Sequence, residues 1–104
     1  MGQGVKYIKL AADQGLALAQ LTLGKLLARG EGIKINRQKS FEYYELAAAQ
    51  NDPEAQWLAA LHLIKDEPNE ENFQKIFNYL RKSADQNYAP SQYFWVEPMR
   101  REYG

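Results

Sequence analysis

A fixed offset of 36 residues superposes three stretches of this chain without a gap, and that repetition limits the fold more than any other feature. Ala11-Ala12-Asp13-Gln14-Gly15 lies over Ala47-Ala48-Ala49-Gln50-Asn51 and over Ser83-Ala84-Asp85-Gln86-Asn87. Four columns are identical in all three copies: Tyr7, Tyr43 and Tyr79; Ala12, Ala48 and Ala84; Gln14, Gln50 and Gln86; Gln20, Gln56 and Gln92. Val5, Phe41 and Phe77 share an apolar column, and Ala19, Ala55 and Ser91 a small one. A unit of this length cannot bury its apolar face alone, so copies must stack and draw stability from their neighbours. The expectation is one domain over 1–104, with repeats at about 1–36, 37–72 and 73–104.

Each unit reads as helix, short turn, helix. First helices are expected near 3–14, 37–50 and 70–86, built from good helix formers, with Phe41, Tyr44 and Ala48 spaced i, i+3, i+7 to form one apolar stripe. Gly15, Asn51 and Asn87 follow where a helix C-terminus favours a left-handed residue. Second helices are expected near 17–29, 53–65 and 89–97, the middle one announced by the N-cap, first-turn proline and early acid of Asp52-Pro53-Glu54. Pro98 disfavours helix at Glu97, so the last helix should stop there and leave Met99 to Gly104 as a tail. Ala12, Ala48 and Ala84 should meet Ala19, Ala55 and Ser91 where paired helices approach. Leu23, Leu27, Leu46, Trp57, Leu58, Leu61 and Leu63 should fill the space between layers. The fold class is therefore all-α.

Composition narrows the function classes. Thirteen basic residues balance thirteen acidic ones, so no net field draws in nucleic acid or an anionic membrane. The absence of cysteine removes disulfides and thiolate chemistry. No apolar stretch approaches the roughly 20 residues of a membrane span, and no signal-peptide core opens the chain. Met1-Gly2 does not announce myristoylation, since Lys6 stands where Ser or Thr is required. The composition suits a soluble protein of cytoplasm or periplasm and does not choose between them.

The residues resemble the Sel-one-like repeats, relatives of the tetratricopeptide repeat. The first-helix half of that pattern is carried by Phe41-Glu42-Tyr43-Tyr44-Glu45-Leu46-Ala47-Ala48-Ala49-Gln50-Asn51. The second-helix half is carried by Ala19, Leu23-Gly24 and the loop Gly30-Glu31-Gly32-Ile33. Ala60 and Asp66-Glu67-Pro68-Asn69 depart from it in the second copy. The resemblance implies a right-handed α-α superhelix of three repeats, part of a longer bacterial protein, that serves as a scaffold for a protein or peptide. It also carries two alternatives: a small-ligand site for cell-wall sugars or β-lactams, seen in relatives with paired cysteines, and a structural spacer or dimerisation segment.

Residues that could do chemistry have plain structural readings. His62 falls in the column of Leu26 and reads as packed or partly exposed. The acid pairs Glu70-Glu71 and Glu42 with Glu45 would do chemistry only in a cleft that perturbs them, and on repeat helices they read as solvated. Ser40, Ser83, Ser91 and Thr22 have no histidine suitably placed, and the loop at Gly30 and Gly32 lacks the lysine of a phosphate loop. No enzyme activity, cofactor or metal is expected. The first helices, which line the concave face in related arrays, are the better place for a site. Two columns spaced i, i+3 hold Lys6 and Lys9, then Glu42 and Glu45, then Asn78 and Arg81, a basic, acidic, basic order. Tyr43 and Tyr79 read as inter-helix packing. Phe94 and Trp95 form either a terminal cap or a stacking face for self-association.

Overall fold

The computed structural model describes residues 2–66 and 69–92. Five helices run through them: α1 (Gly2–Asp13), α2 (Ala17–Arg29), α3 (Arg37–Ala49), α4 (Pro53–Asp66) and α5 (Glu70–Asp85), followed by a helical start at 89–92. No strand occurs among the described residues. Each completed helix lies within one residue of its expected ends. The remainder of the 89–97 helix and the tail after Pro98 lie outside the described residues.

The same turn closes α1, α3 and α5. Gly15, Asn51 and Asn87 adopt φ of 90°, 72° and 63°. Their amides donate to the carbonyls of Ala12, Ala48 and Ala84, each at 2.9 Å, and the next amides reach back to Ala11, Ala47 and Ser83 at 3.2–3.3 Å. This is the paired bonding of a left-handed helix cap, in which the orphan carbonyls of the last turn find donors. Asn36, Asp52 and Asn69 supply the opposite ends: their side-chain oxygens accept from the amides of Lys39, Ala55 and Asn72 at 2.9–3.0 Å.

The two invariant glutamines form a ladder along the stack. Gln20, Gln56 and Gln92 each donate Nε2 to the carbonyl at the end of the preceding helix, on Ala12, Ala48 and Ala84, at 3.3, 3.3 and 3.1 Å. The freed Oε1 of Gln20 accepts from Gln50 Nε2 at 2.9 Å, and that of Gln56 from Gln86 Nε2 at 3.1 Å. Gln20 and Gln56 are buried, so each amide must be satisfied on both sides. The identity of these columns follows from that requirement: only a side chain with adjacent donor and acceptor can cap one repeat while receiving the next.

Three apolar clusters succeed one another along the stack. Ala12, Leu23 and Leu27 hold α1 to α2; Leu21, Tyr44, Ala47, Ala48, Ala55 and Ala59 join α2, α3 and α4; Ala60, Leu63, Ile76 and Leu80 join α4 to α5. Ala12, Ala48, Ala55 and Ser91 are buried at the close approaches, with Ala19 and Ala84 half-buried. Of the expected layer fillers, Leu23, Leu27 and Leu63 are buried and Trp57, Leu58 and Leu61 half-buried. Leu46 departs from the expectation at 51% exposure. The buried stripe of α3 runs through Ser40, Tyr44, Ala47 and Ala48, and at about 100° per residue Leu46 falls off it. With clusters in series the molecule is elongated: 52 × 25 × 22 Å, with a radius of gyration of 14.8 Å against about 13 Å for a compact domain of this length.

Candidate functional site

The first helix of each repeat, α1, α3 and α5, carries the side chains singled out from the sequence. Lys6 and Lys9 on α1, Glu42 on α3, and Asn78 and Arg81 on α5 are exposed. None of these five makes a side-chain hydrogen bond or ion pair among the described residues. Glu45 differs. It is half-buried, and its Oε2 accepts from Lys75 Nζ at 3.1 Å and from Tyr79 Oη at 2.9 Å, both on α5. The sixth residue of the expected set therefore ties the second repeat to the third. Phe94 and Trp95 lie outside the described residues.

Burial pushes the Tyr79 hydroxyl well above its ordinary value, and the hydrogen bond to Glu45 and its charge add to the effect by stabilising the protonated donor. Tyr43 shifts in the same direction, first by burial and then by the negative charges of Asp13 and Glu42. Both tyrosines pack as expected between repeats, Tyr43 against the Ala12–Leu23–Leu27 cluster and Tyr79 against the two later clusters. Tyr7, the first of the column, is 70% exposed.

An opening of about 390 Å³ lies beside Tyr43, lined by Ala12, Asp13, Gly15, Gln20, Lys39, Glu42, Tyr43 and Leu46. It sits where the first and second repeats meet, and the exposed Leu46 forms part of its wall. Sequence reasoning passed over Lys39, Lys75 and Asp13. The signal available for the first two is a lysine four residues before the repeated tyrosine in both later copies.

A second opening, of about 380 Å³, brings Ser40, His62 and Asp66 to one wall. It is not arranged for nucleophilic chemistry. Ser40 is buried and donates its hydroxyl to the Gly24 carbonyl at 2.6 Å, while the His62 ring stacks on Phe41 with centroids 4.4 Å apart and planes 15° from parallel. This agrees with the packed, partly exposed histidine read from its column. Ser83 likewise donates to the Pro53 carbonyl at 2.7 Å and receives Ser91. No cluster of metal-ligating side chains occurs among the described residues, and none of their helices is long and apolar enough to cross a membrane.

Comparison with known proteins agrees with this geometry. The chain superposes on the crystal structure of c5321, a protective antigen of uropathogenic Escherichia coli with an SLR fold, with a TM-score of 0.81 and 24% identity over 89% of this chain and 20% of that one. It superposes on a Sel1 repeat protein from Oxalobacter formigenes with a TM-score of 0.76 and 24% identity over 86% of this chain and 37% of the other. The chain thus spans about a fifth and just over a third of these two proteins. No curated protein matches it significantly. The family model described as the Sel1 repeat matches residues 1–16, 17–52 and 53–88, keeping the 36-residue period but opening each unit at the second helix. That phase groups α2 with α3 and α4 with α5, the two most extensively packed pairs. With matches over most of its length, glutamine-linked helix pairs and two superposable structures, the chain belongs to the Sel1 repeat family.

Proposed function

We propose that this chain is a non-catalytic adaptor that binds a peptide or protein along the face lined by α1, α3 and α5. Sel1 repeats usually act as protein-interaction scaffolds, and the distribution of polar side chains supports that role here. The observation that carries it is the set Lys6, Lys9, Glu42, Asn78 and Arg81: five polar or charged groups on successive first helices, exposed and without internal partners among the described residues. The packing of the stack does not use them. Their order of charge suits an extended partner of the opposite order, because complementary signs fix register more than they add affinity.

The test is affinity capture from the native host by wild type and by Glu42→Lys/Arg81→Glu, with Glu45 left in place because it joins two repeats. The doubly reversed variant should melt at the wild-type temperature and lose the captured partner. Recovery of the same partner by a folded variant would place binding elsewhere.

A further inference from the structure

The two junctions between repeats share one plan, and one of them has a carboxylate that the other lacks. At the second junction, Glu45 Oε2 on α3 is held by Lys75 Nζ at 3.1 Å and Tyr79 Oη at 2.9 Å on α5. A shift of 36 residues turns Lys75 and Tyr79 into Lys39 and Tyr43, the same residue types, on α3. It turns Glu45 into Lys9 on α1. That the two junctions pack alike is visible in the glutamine ladder, with Gln50 on Gln20 at 2.9 Å and Gln86 on Gln56 at 3.1 Å, and in the matching turns at Gly15 and Asn51.

From this pseudo-symmetry we infer that the groove between the first and second repeats is a seat for the carboxylate of an acidic side chain in a bound peptide, received by Lys9, Lys39 and Tyr43. The inference rests on the reading of the α1, α3, α5 face as a peptide-binding surface and gives that surface its first subsite. Neither lysine has an ion-pair partner among the described residues, and the Tyr43 hydroxyl has no hydrogen-bond partner there. Lys9 and Lys39 stand in the columns of Glu45 and Lys75, so a carboxylate brought between them takes the place that Glu45 has at the second junction and gains charge-assisted hydrogen bonds. The opening of about 390 Å³ beside Tyr43 admits the guest, and Ala12 and Leu46 on its wall offer apolar contact to the methylenes of a glutamate. Asp13 and Glu42 line the same opening and make no ion pair. Their two charges balance those of Lys9 and Lys39, so no net field draws the guest in; hydrogen bonds from the ammonium groups and the Tyr43 hydroxyl hold a single carboxylate, and a phosphate dianion is disfavoured.

The probe is the capped peptide acetyl-Ala-Leu-Glu-Ala-Leu-amide, with its glutamine and phosphoserine twins, titrated against the ¹⁵N-labelled chain. Exchange of glutamate for glutamine or phosphoserine should weaken binding about fivefold to tenfold, with the largest shifts at the amides of Lys9, Lys39 and Tyr43. The discriminating variant is Lys9→Glu, which supplies the missing carboxylate from within. It should melt about 2–5 °C higher and bind the glutamate peptide about tenfold more weakly, so that lost binding accompanies gained stability and cannot be ascribed to unfolding. Lys34→Glu, the same charge change in an exposed loop, should keep the affinity within about twofold. Equal binding of the glutamate and glutamine peptides, wild-type affinity in Lys9→Glu, or a lower melting temperature for that variant would each overturn the seat. Should the glutamate peptide fail while Glu42→Lys/Arg81→Glu still loses its captured partner, the seat is wrong and the binding face stands. If that variant keeps its partner, the binding face itself is wrong.

Discussion

Where α2 meets α3, Gly24 lets Tyr44 lie against the helix, and Ser40 donates to the Gly24 carbonyl at 2.6 Å; where α4 meets α5, the same three columns hold Ala60, Leu80 and Ile76. A methyl group built on Gly24 would stand 2.6 Å from Tyr44 Cε1, so the glycine is required by the ring that packs on it. In the second junction the ring becomes an aliphatic side chain and the glycine becomes alanine. The departure of Ala60 from the repeat pattern is thus half of an exchange whose other half is Leu80, and the total volume is what the junction conserves. The outer grooves differ in the opposite sense: the apolar junction closes over an internal ion pair, and the junction with the buried serine faces an opening lined by Lys39, Asp13 and Glu42, which form no ion pair among the described residues. Repeats joined by one ladder therefore need not be interchangeable in stability or in what they present to a partner.

The largest effect should come from emptying the aliphatic junction. Ile76→Ala removes a buried side chain and should cost about 2–5 kcal/mol in urea unfolding, against about 1 kcal/mol for Ser40→Ala in the same column. Equal losses would show that the two junctions are not held differently. Next, Gly24→Ala should cost about 1–2 kcal/mol, the overpacking against Tyr44 being partly offset by better helix propensity. Gly24→Ala/Tyr44→Leu, which copies the second junction into the first, should be more stable than the two single changes predict by summation. A double-mutant cycle showing additivity would remove the volume-exchange argument.

A smaller effect attaches to the ion pair. Glu45→Gln should cost about 0.5–1 kcal/mol and make melting less sensitive to salt, because Lys75 is more than half exposed and Tyr79 keeps an acceptor. The smallest is alkaline. The folded Tyr79 hydroxyl ionises above the ordinary tyrosine value of 10.0, so above that pH the unfolded chain loses its proton first. The stability that this tyrosine contributes is complete below pH 10.0 and declines as pH rises toward the folded value. Tyr79→Phe should flatten that decline relative to wild type, as followed by unfolding between neutral and strongly alkaline pH.

Much of this was legible in the residues because it is local. The 36-residue period, the helix ends and the left-handed turns at Gly15, Asn51 and Asn87 follow from side chains acting on their own backbone. Asn36 and Asn69 carry the same capping chemistry as Asp52 and were within reach of the same reasoning. The proposed binding face was legible as a pair of columns, and five of its six residues stand exposed. Glu45 did not read correctly as a free group, since Lys75 and Tyr79 lie 30 and 34 residues away on a helix whose rotation the sequence does not state. Leu46 looked like a layer filler by composition, yet a rotation of about 100° per residue turns it from the buried stripe into the groove.

The sequence by itself determined that this chain is a stack of helix pairs, where each helix starts and stops, and which columns must be small or left-handed, because those properties depend on backbone conformation within a few residues. Only the tertiary structure decided that the invariant glutamines form a continuous ladder, that Gly24 and Tyr44 trade volume with Ala60 and Leu80, and that Lys9 and Lys39 occupy the columns of a bridged carboxylate and its lysine. Those relations join residues a whole repeat apart, and their distances are set by how one helix pair settles on the next.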